Sequence, residues 1–430
     1  MDTHPERPAS VVLAVRPPRA QPASITEVRS LLEGAGIEVE GFEVSTEPLA
    51  PAARYEALVT ARLVDASARR FRVWLEPAPV DFIENILGME LPWRGLLDED
   101  RENVAAATWA MGVSTVFEDR PLWDFHAQLK VLQAVAPDTV FVLDAEAFSP
   151  RPGPWLNEVA SSLAPPAPES LFTIHAVGDG EDQPAWLHTH GLERCGSIEL
   201  EMLDVPGDFA GMAGQLLNVA GALFIERGVP EPDEPFEVGQ GLDLCWLPWK
   251  EALPKVRHGV PGHHEDRGDD VHVGARGVLF VPRKGLLGRR TYKSVAECRD
   301  IMEDNPLLYL SNMATARAAL LARERLPRFR ALWSAHHEQE WVFLVKLGYP
   351  VDQAEDEHDR EHLWFQVHRV DDEEVEATCL NAPYAVSSLA EGQRARHPIA
   401  KLTDWSIMCE LGRFDADNVG ELERLLQQRA

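Results

Sequence analysis

Two histidines one residue apart, His188 and His190, are followed by two glutamates with the same spacing, Glu199 and Glu201. Side chains alternate between the faces of a β-strand, so each pair shares a face. If residues 191–196 connect an antiparallel hairpin, the simplest register sets His190 against Ser197 and His188 against Glu199. Two imidazoles and a carboxylate then stand together. That donor set suits zinc or another divalent metal, with one position left for water. His188, His190 and Glu199 are therefore the expected metal ligands, and Glu201 is the expected general base of a metal-dependent hydrolase. Register decides the matter, because a one-residue slip moves a whole strand's side chains to the other face. The same four residues also suit, and as a loose pattern better suit, the solvated face of a half-buried sheet, and on that reading no cofactor is expected.

The run His188-Thr189-His190 is similar to the His-Thr-His of zinc-dependent isopeptidases. Ser197 falls one position too early for that pattern, and Glu201 or Leu200 stands where its aspartate belongs, so that family is set aside. A second polar cluster comprises His258, His263, His264, Glu265, Asp266, Asp269, Asp270 and His272. It lacks the ordered spacing of a calcium loop and reads as an exposed, solvated segment. A third feature is a charge contrast. Residues 276–330 hold twelve Lys and Arg against five acids, and residues 351–376 hold eleven acids against two Arg. Such segments can attract one another, within a chain or across a dimer, as in a salt-sensitive two-domain switch. No Walker loop, dinucleotide fingerprint, nucleophile elbow or HExxH helix is present, which disfavours the corresponding chemistries.

The elements that must position these residues alternate between the two periodicities. Val11–Val15, Tyr55–Val64, Arg70–Leu75 and Val140–Leu143 read as strands, and Thr26–Leu32, Leu122–Val135 and Trp155–Leu163 read as helices. Prolines at 150, 152, 154, 165, 166 and 168 place a boundary near 165. Three strand-like runs follow, Leu171–Val177, Trp186–His190 and Ser197–Leu203, then a helix with Phe209, Met212, Leu216, Val219, Ala220, Leu223 and Phe224 at helical spacing. Gly228 stops that helix. Leu242–Trp249 and Gly277–Pro282 are further strands, and Asn305-Pro306 opens a connecting helix. From about 338 the chain is β-rich, and a short helix with Val419, Leu422, Leu425 and Leu426 closes it. The expected class is α+β, in three domains: a mixed α/β domain at 1–165, a central α+β domain at 166–337 and a small barrel-like domain at 338–430. In the last, Trp364 and Trp405 are expected in the core, with Asp404 accepting from nearby backbone.

The chain has 430 residues, and its formal charge is −29, from 70 acids against 41 bases. So acidic a surface repels nucleic acid and anionic membranes and favours basic protein partners. Five cysteines, at 195, 245, 298, 379 and 409, form no CxxC pair, which points to a reducing compartment. The N-terminus lacks a signal-peptide pattern, and no apolar run reaches the ~18 residues of a membrane span. A cytoplasmic location is expected.

The C-terminal block reads Trp341-Val-Phe-Leu-Val-Lys346, Glu361-His-Leu-Trp364-Phe-Gln-Val, Asn381-Ala-Pro-Tyr384, Glu391-Gly392 and Leu402-Thr-Asp404-Trp405. This order of motifs resembles the bacterial domain-of-unknown-function family 2314, and the preceding part is similar to family 4026. The resemblance implies a soluble bacterial protein with a compact β-rich C-terminal module, and carries over no catalytic residue. With the missing catalytic signatures, it favours a non-enzymatic cytoplasmic protein that binds another protein or regulates it. The metal-dependent hydrolase is the alternative.

Overall fold

The computed structural model describes residues 7–17, 24–48, 52–63, 67–78, 83, 98–178, 180, 182–268, 272, 274–284, 290–303, 312–354 and 359–429. The helix start expected at Asn305-Pro306 lies outside them, as do Asp269 and Asp270. The fold is α+β, with three largely antiparallel sheets. The chain divides into two compact units: residues 1–160 with 166–311, and residues 161–165 with 312–430.

The first unit begins with a seven-stranded antiparallel sheet, in the order β2-β3-β4-β5-β1-β6-β7. Its strands are β1 (Ser10–Val15), β2 (Glu38–Val44), β3 (Tyr55–Arg62), β4 (Ala68–Pro77), β5 (Trp109–Thr115), β6 (Phe141–Asp144) and β7 (Ser149–Pro152). Helices α1 (Ile25–Gly34), α2 (Asp98–Ala105), α3 (Pro121–Val135) and α4 (Gly153–Ser161) accompany it. Gln128 of α3 is fully buried, and its amide serves both neighbouring strands. Its Nε2 donates to the carbonyls of Ser10 and Val113 at 3.0 and 2.8 Å, and its Oε1 accepts from Ser10 Oγ at 2.8 Å. A buried amide so satisfied fixes the helix in one register against the sheet.

The same unit contains a second sheet, in the order β11-β12-β13-β10-β9-β8, with β14 paired to β13. Its strands are β8 (Thr173–Val177), β9 (Pro184–His190), β10 (Glu199–Pro206), β11 (Phe236–Gly239), β12 (Leu242–Pro248), β13 (Arg276–Lys284) and β14 (Arg290–Lys293). Its β10–β13 pairing is parallel. Helix α5 (Ala210–Arg227) runs along one face, and Ala213, Leu216, Leu217, Ala220 and Leu223 are buried there. This helix is long and apolar enough to cross a membrane by composition, yet it serves as the core helix of this sheet. The opposite face carries Trp186, Leu203, Leu247, Val278 and Phe280, packed against Ala252 and Leu253 of the segment after β12.

The two sheets of this unit are pinned by one arginine. Arg194 sits in a 3-10 turn, Glu193–Cys195, and is fully buried. Its guanidinium donates to both oxygens of Asp144 in β6, at 2.7 and 2.6 Å, and to Ser10 Oγ and the Leu171 carbonyl. The charge also lies 4.9 Å from the Phe125 ring centre. A forked pair of this kind is strongly directional.

The second unit is an open six-stranded antiparallel sheet, in the order β18-β17-β16-β15-β19-β20. Its strands are β15 (Val342–Pro350), β16 (Arg360–Val370), β17 (Glu374–Cys379), β18 (Arg394–Pro398), β19 (Leu402–Cys409) and β20 (Gly412–Asp415). The barrel expected from the sequence does not close. Helices α8 (Asn312–Glu324) and α9 (Leu326–His336) supply Leu321, Ala322, Phe329 and Leu332 to the face that a barrel would have folded upon itself. Between β14 and α8 lies the short helix α7 (Arg299–Glu303), after α6 (Trp249–Ala252), and α10 (Val419–Arg429) ends the chain. Trp405 is fully buried, and its indole donates to the Ala322 carbonyl at 3.0 Å. Asp404 accepts from the Trp405 N–H at 2.8 Å. Trp364 departs from the expected core position: it alternates with core residues Leu363 and Phe365 and lies half-buried on the other face, 5.5 Å from the Lys346 ammonium. The connecting helix thus belongs to the C-terminal core. Of the basic stretch, Arg330 reaches Asp372 in the acidic one, whereas Arg317 and Arg328 are held by Asp417 and Glu423.

Candidate metal centre

Three imidazoles meet on one face of the β8–β9 hairpin. His175 lies directly opposite His188, and Thr173 opposite His190. Alternation along β9 puts Trp186, His188 and His190 on that face together. One nitrogen from each of His175, His188 and His190 lies within 4.8 Å of the others. In a tetrahedral site with metal–nitrogen bonds of about 2.0–2.1 Å, neighbouring ligand atoms sit roughly 3.3 Å apart. The three nitrogens would have to draw closer together to share one ion.

The surroundings disfavour the charged form of His175 and His188. His188 is 2 % exposed and His190 6 %. Burial, then the neighbouring His190, His272 and His175 and the Arg276 guanidinium, push the His188 pKa down to about 2. His175 is shifted downward too, by burial first and then by His272. A neutral imidazole offers its lone pair to a metal without first losing a proton. His188 Nδ1 is buried and has no hydrogen-bond partner among the described residues. Trp186 lies over the His188 ring at 4.1 Å, and Phe148 meets the His190 ring edge-on at 5.0 Å.

The glutamates sit elsewhere than the sequence reading put them. The β9–β10 register pairs His188 with Glu201, two residues along from the expected pairing with Glu199. The cause is the turn. Glu193–Cys195 form the 3-10 turn, Gly196 takes a left-handed conformation at φ +77°, and Ser197 N–H still bonds back to the Leu192 carbonyl. The connection therefore uses two more residues than the six assumed. A shift of two preserves the face, so Glu201 does share the His188 face, but its carboxylate is committed. Both oxygens bond Arg267, one of them at 3.1 Å, and Oε1 also accepts from Arg276 at 3.2 Å. Glu199 heads β10 and turns its carboxylate into the loop. There it accepts from Thr189 Oγ1 at 2.5 Å and from the N–H groups of Gly191 and Glu193 at 2.7 and 3.3 Å. Burial raises the pKa of Glu199, against those hydrogen bonds. Neither carboxylate joins the imidazoles as a ligand in this arrangement. The third member is His175, which the sequence reading passed over. Its signal was present: a hairpin turn centred on 181–182 sets residue 175 against 188.

The His-rich segment is exposed at His258, His264, Glu265 and Asp266, as expected, but not throughout. His263 and Arg267 are buried, and His272 packs against the cluster. Gly191, next to His190, has φ +111°, and a Cβ there would lie 2.4 Å from the Leu171 carbonyl oxygen. Only glycine allows the chain to leave β9 so close to the end of the preceding segment.

Known families match three stretches of the chain. Residues 10–166 match the N-terminal part, and residues 174–280 the C-terminal part, of a protein of unknown function, DUF4026. Residues 312–414 match DUF2314, an uncharacterized protein conserved in bacteria. No curated protein and no solved structure matches the chain. The histidine face falls wholly within the 174–280 match, and the chain belongs to the DUF4026 family, carrying a DUF2314 domain behind it.

Proposed function

We propose that this is a metal-binding protein with a binding or regulatory rather than catalytic role, holding one transition-metal ion on His175, His188 and His190. The observation that carries the reading is the convergence of three imidazoles, each offering a nitrogen within 4.8 Å of the others. Imidazoles without acids among them suit zinc and its neighbours in the first transition row better than magnesium or calcium. The hydrolase alternative would use the same imidazoles. Weighing against it, Glu201 spends both oxygens on arginines and Glu199 spends its own on Thr189 and the turn, so neither is placed to activate a water. The net charge of −29 favours a basic protein partner in the cytoplasm.

Elemental mass spectrometry on the untagged protein tests the reading. About one metal per chain is expected, lost when His188 and His190 are both replaced by alanine. A wild-type protein that stays metal-free after zinc, cobalt and copper are each added and dialysed away would end it. Pull-downs from native lysate with and without chelator then address the partner, which is expected to be retained only in the metal-loaded state.

A further inference from the structure

We infer that His272 is the fourth ligand of this centre, so that the ion is held by four imidazoles with no position open to water. This rests on the metal reading above.

The ring spacings support it. A tetrahedral ion with metal–nitrogen bonds of about 2.0–2.1 Å sets neighbouring ring centres roughly 5 Å apart. Within the hairpin cluster the centres are 5.6 Å (His175–His188), 4.8 Å (His175–His190) and 4.9 Å (His188–His190) apart. His272 lies 5.0 Å from His188 and 5.5 Å from His190, inside the same range. Its ring also packs on Trp186 at 4.9 Å.

The backbone of His272 is held by a dedicated contact. Arg267 Nη1 donates to the His272 carbonyl at 3.1 Å and to Glu201 Oε1 at 3.1 Å. Its Nε donates to the Gly262 carbonyl at 3.0 Å. One guanidinium thus ties His272 to the carboxylate that stands opposite His188 in the sheet. Glu201 and Arg267 become positioning residues: they fix the fourth imidazole beside His188 and His190. This gives a purpose to a buried ion pair that adds no ligand of its own.

Four nitrogens and no carboxylate set the class of ion. Hard cations that require oxygen are disfavoured, and nitrogen-seeking late first-row ions, cobalt to zinc, are preferred. Full coordination also means that no anion should be able to add to the ion.

Cobalt(II) is the probe, because its visible absorption is intense when tetrahedral and weak at higher coordination. The full-length protein is titrated with Co²⁺ as wild type, His272→Gln and His188→Ala, with circular dichroism confirming that each variant is folded. The wild type is expected to bind one Co²⁺ with intense bands that azide leaves unchanged. His272→Gln is expected to bind about tenfold or more weakly, with bands that azide alters. Arg267→Lys, which keeps the charge but loses the fork, is expected to fall between the two. If His272→Gln matches the wild type in affinity and spectrum, or if azide changes the wild-type bands, His272 is no ligand, while the three-imidazole reading stands. If the wild type binds no Co²⁺, or His188→Ala binds as well as wild type, the reading beneath the inference fails with it.

Discussion

His188 shows how one buried ring couples this fold to pH. An imidazole in an unfolded chain takes a proton near pH 6.5, whereas His188 in the folded chain resists protonation down to about 2. Between those values the unfolded state binds the extra proton, so stability falls as pH falls. From pH 7 to pH 5 the loss assigned to this ring is about 2 kcal/mol. In chelator, urea denaturation of wild type and His188→Gln should show their stability difference narrowing by that amount between pH 7 and pH 5. A difference that stays constant over this range would mean that His188 is as readily protonated in the folded chain as outside it. Because the folded ring is already neutral, its affinity for a metal should not fall through protonation of His188 over that window.

At the level of elements, the centre depends on how two connections are built. Gly191→Ala places a methyl group against the Leu171 carbonyl and forces an unfavourable backbone angle. A loss of about 2–4 kcal/mol is expected, with metal binding weakened because His190 is the adjacent residue. Thermal melts of the variant beside the wild type check the first, and cobalt titration checks the second. An unchanged melting temperature would show that the turn relaxes without cost. The turns also mark how far the sequence could be read. The helices over Leu122–Val135 and Phe209–Phe224 and the strands around His188 and Glu199 were legible, because apolar periodicity and alternation are local properties. His188 and His190 sharing a face followed from the same rule. The partner strands did not follow, because register is set by turn geometry: a 3-10 turn closed by left-handed Gly196 absorbed two residues that a simple hairpin would have placed in β10. His272 was legible as a histidine but not as a neighbour of His188, since nothing local records a contact between residues so far apart in the chain. Trp364 and Trp405 were likewise placed in one core from their type, although alternation separates Trp364 from Leu363 and Phe365.

Over the whole molecule, each unit carries a core of its own. In the second, Trp405, Phe329, Phe343 and Phe365 pack together. In the first, the centre lies on a sheet stapled to its neighbour by Arg194 and Asp144. Calorimetry is therefore expected to resolve two transitions, with only the first-unit transition responding to added metal. Arg194→Met should lower that same transition, by about 3–5 kcal/mol, because it strands Asp144 in the interior. One merged transition that shifts as a whole would show that the units unfold together. The hairpin has a further consequence for how the protein is made. His175, His188 and His190 lie within one short stretch of chain, and local contacts of this kind form early. Arg267 and His272 emerge from the ribosome only after β10, α5, β11 and β12 have been synthesised. A nascent chain thus displays three imidazoles well before it possesses the residues that shut them in. Loading during translation would need no carrier able to open a finished site, and an ion taken up then would be enclosed by the very residues that arrive last.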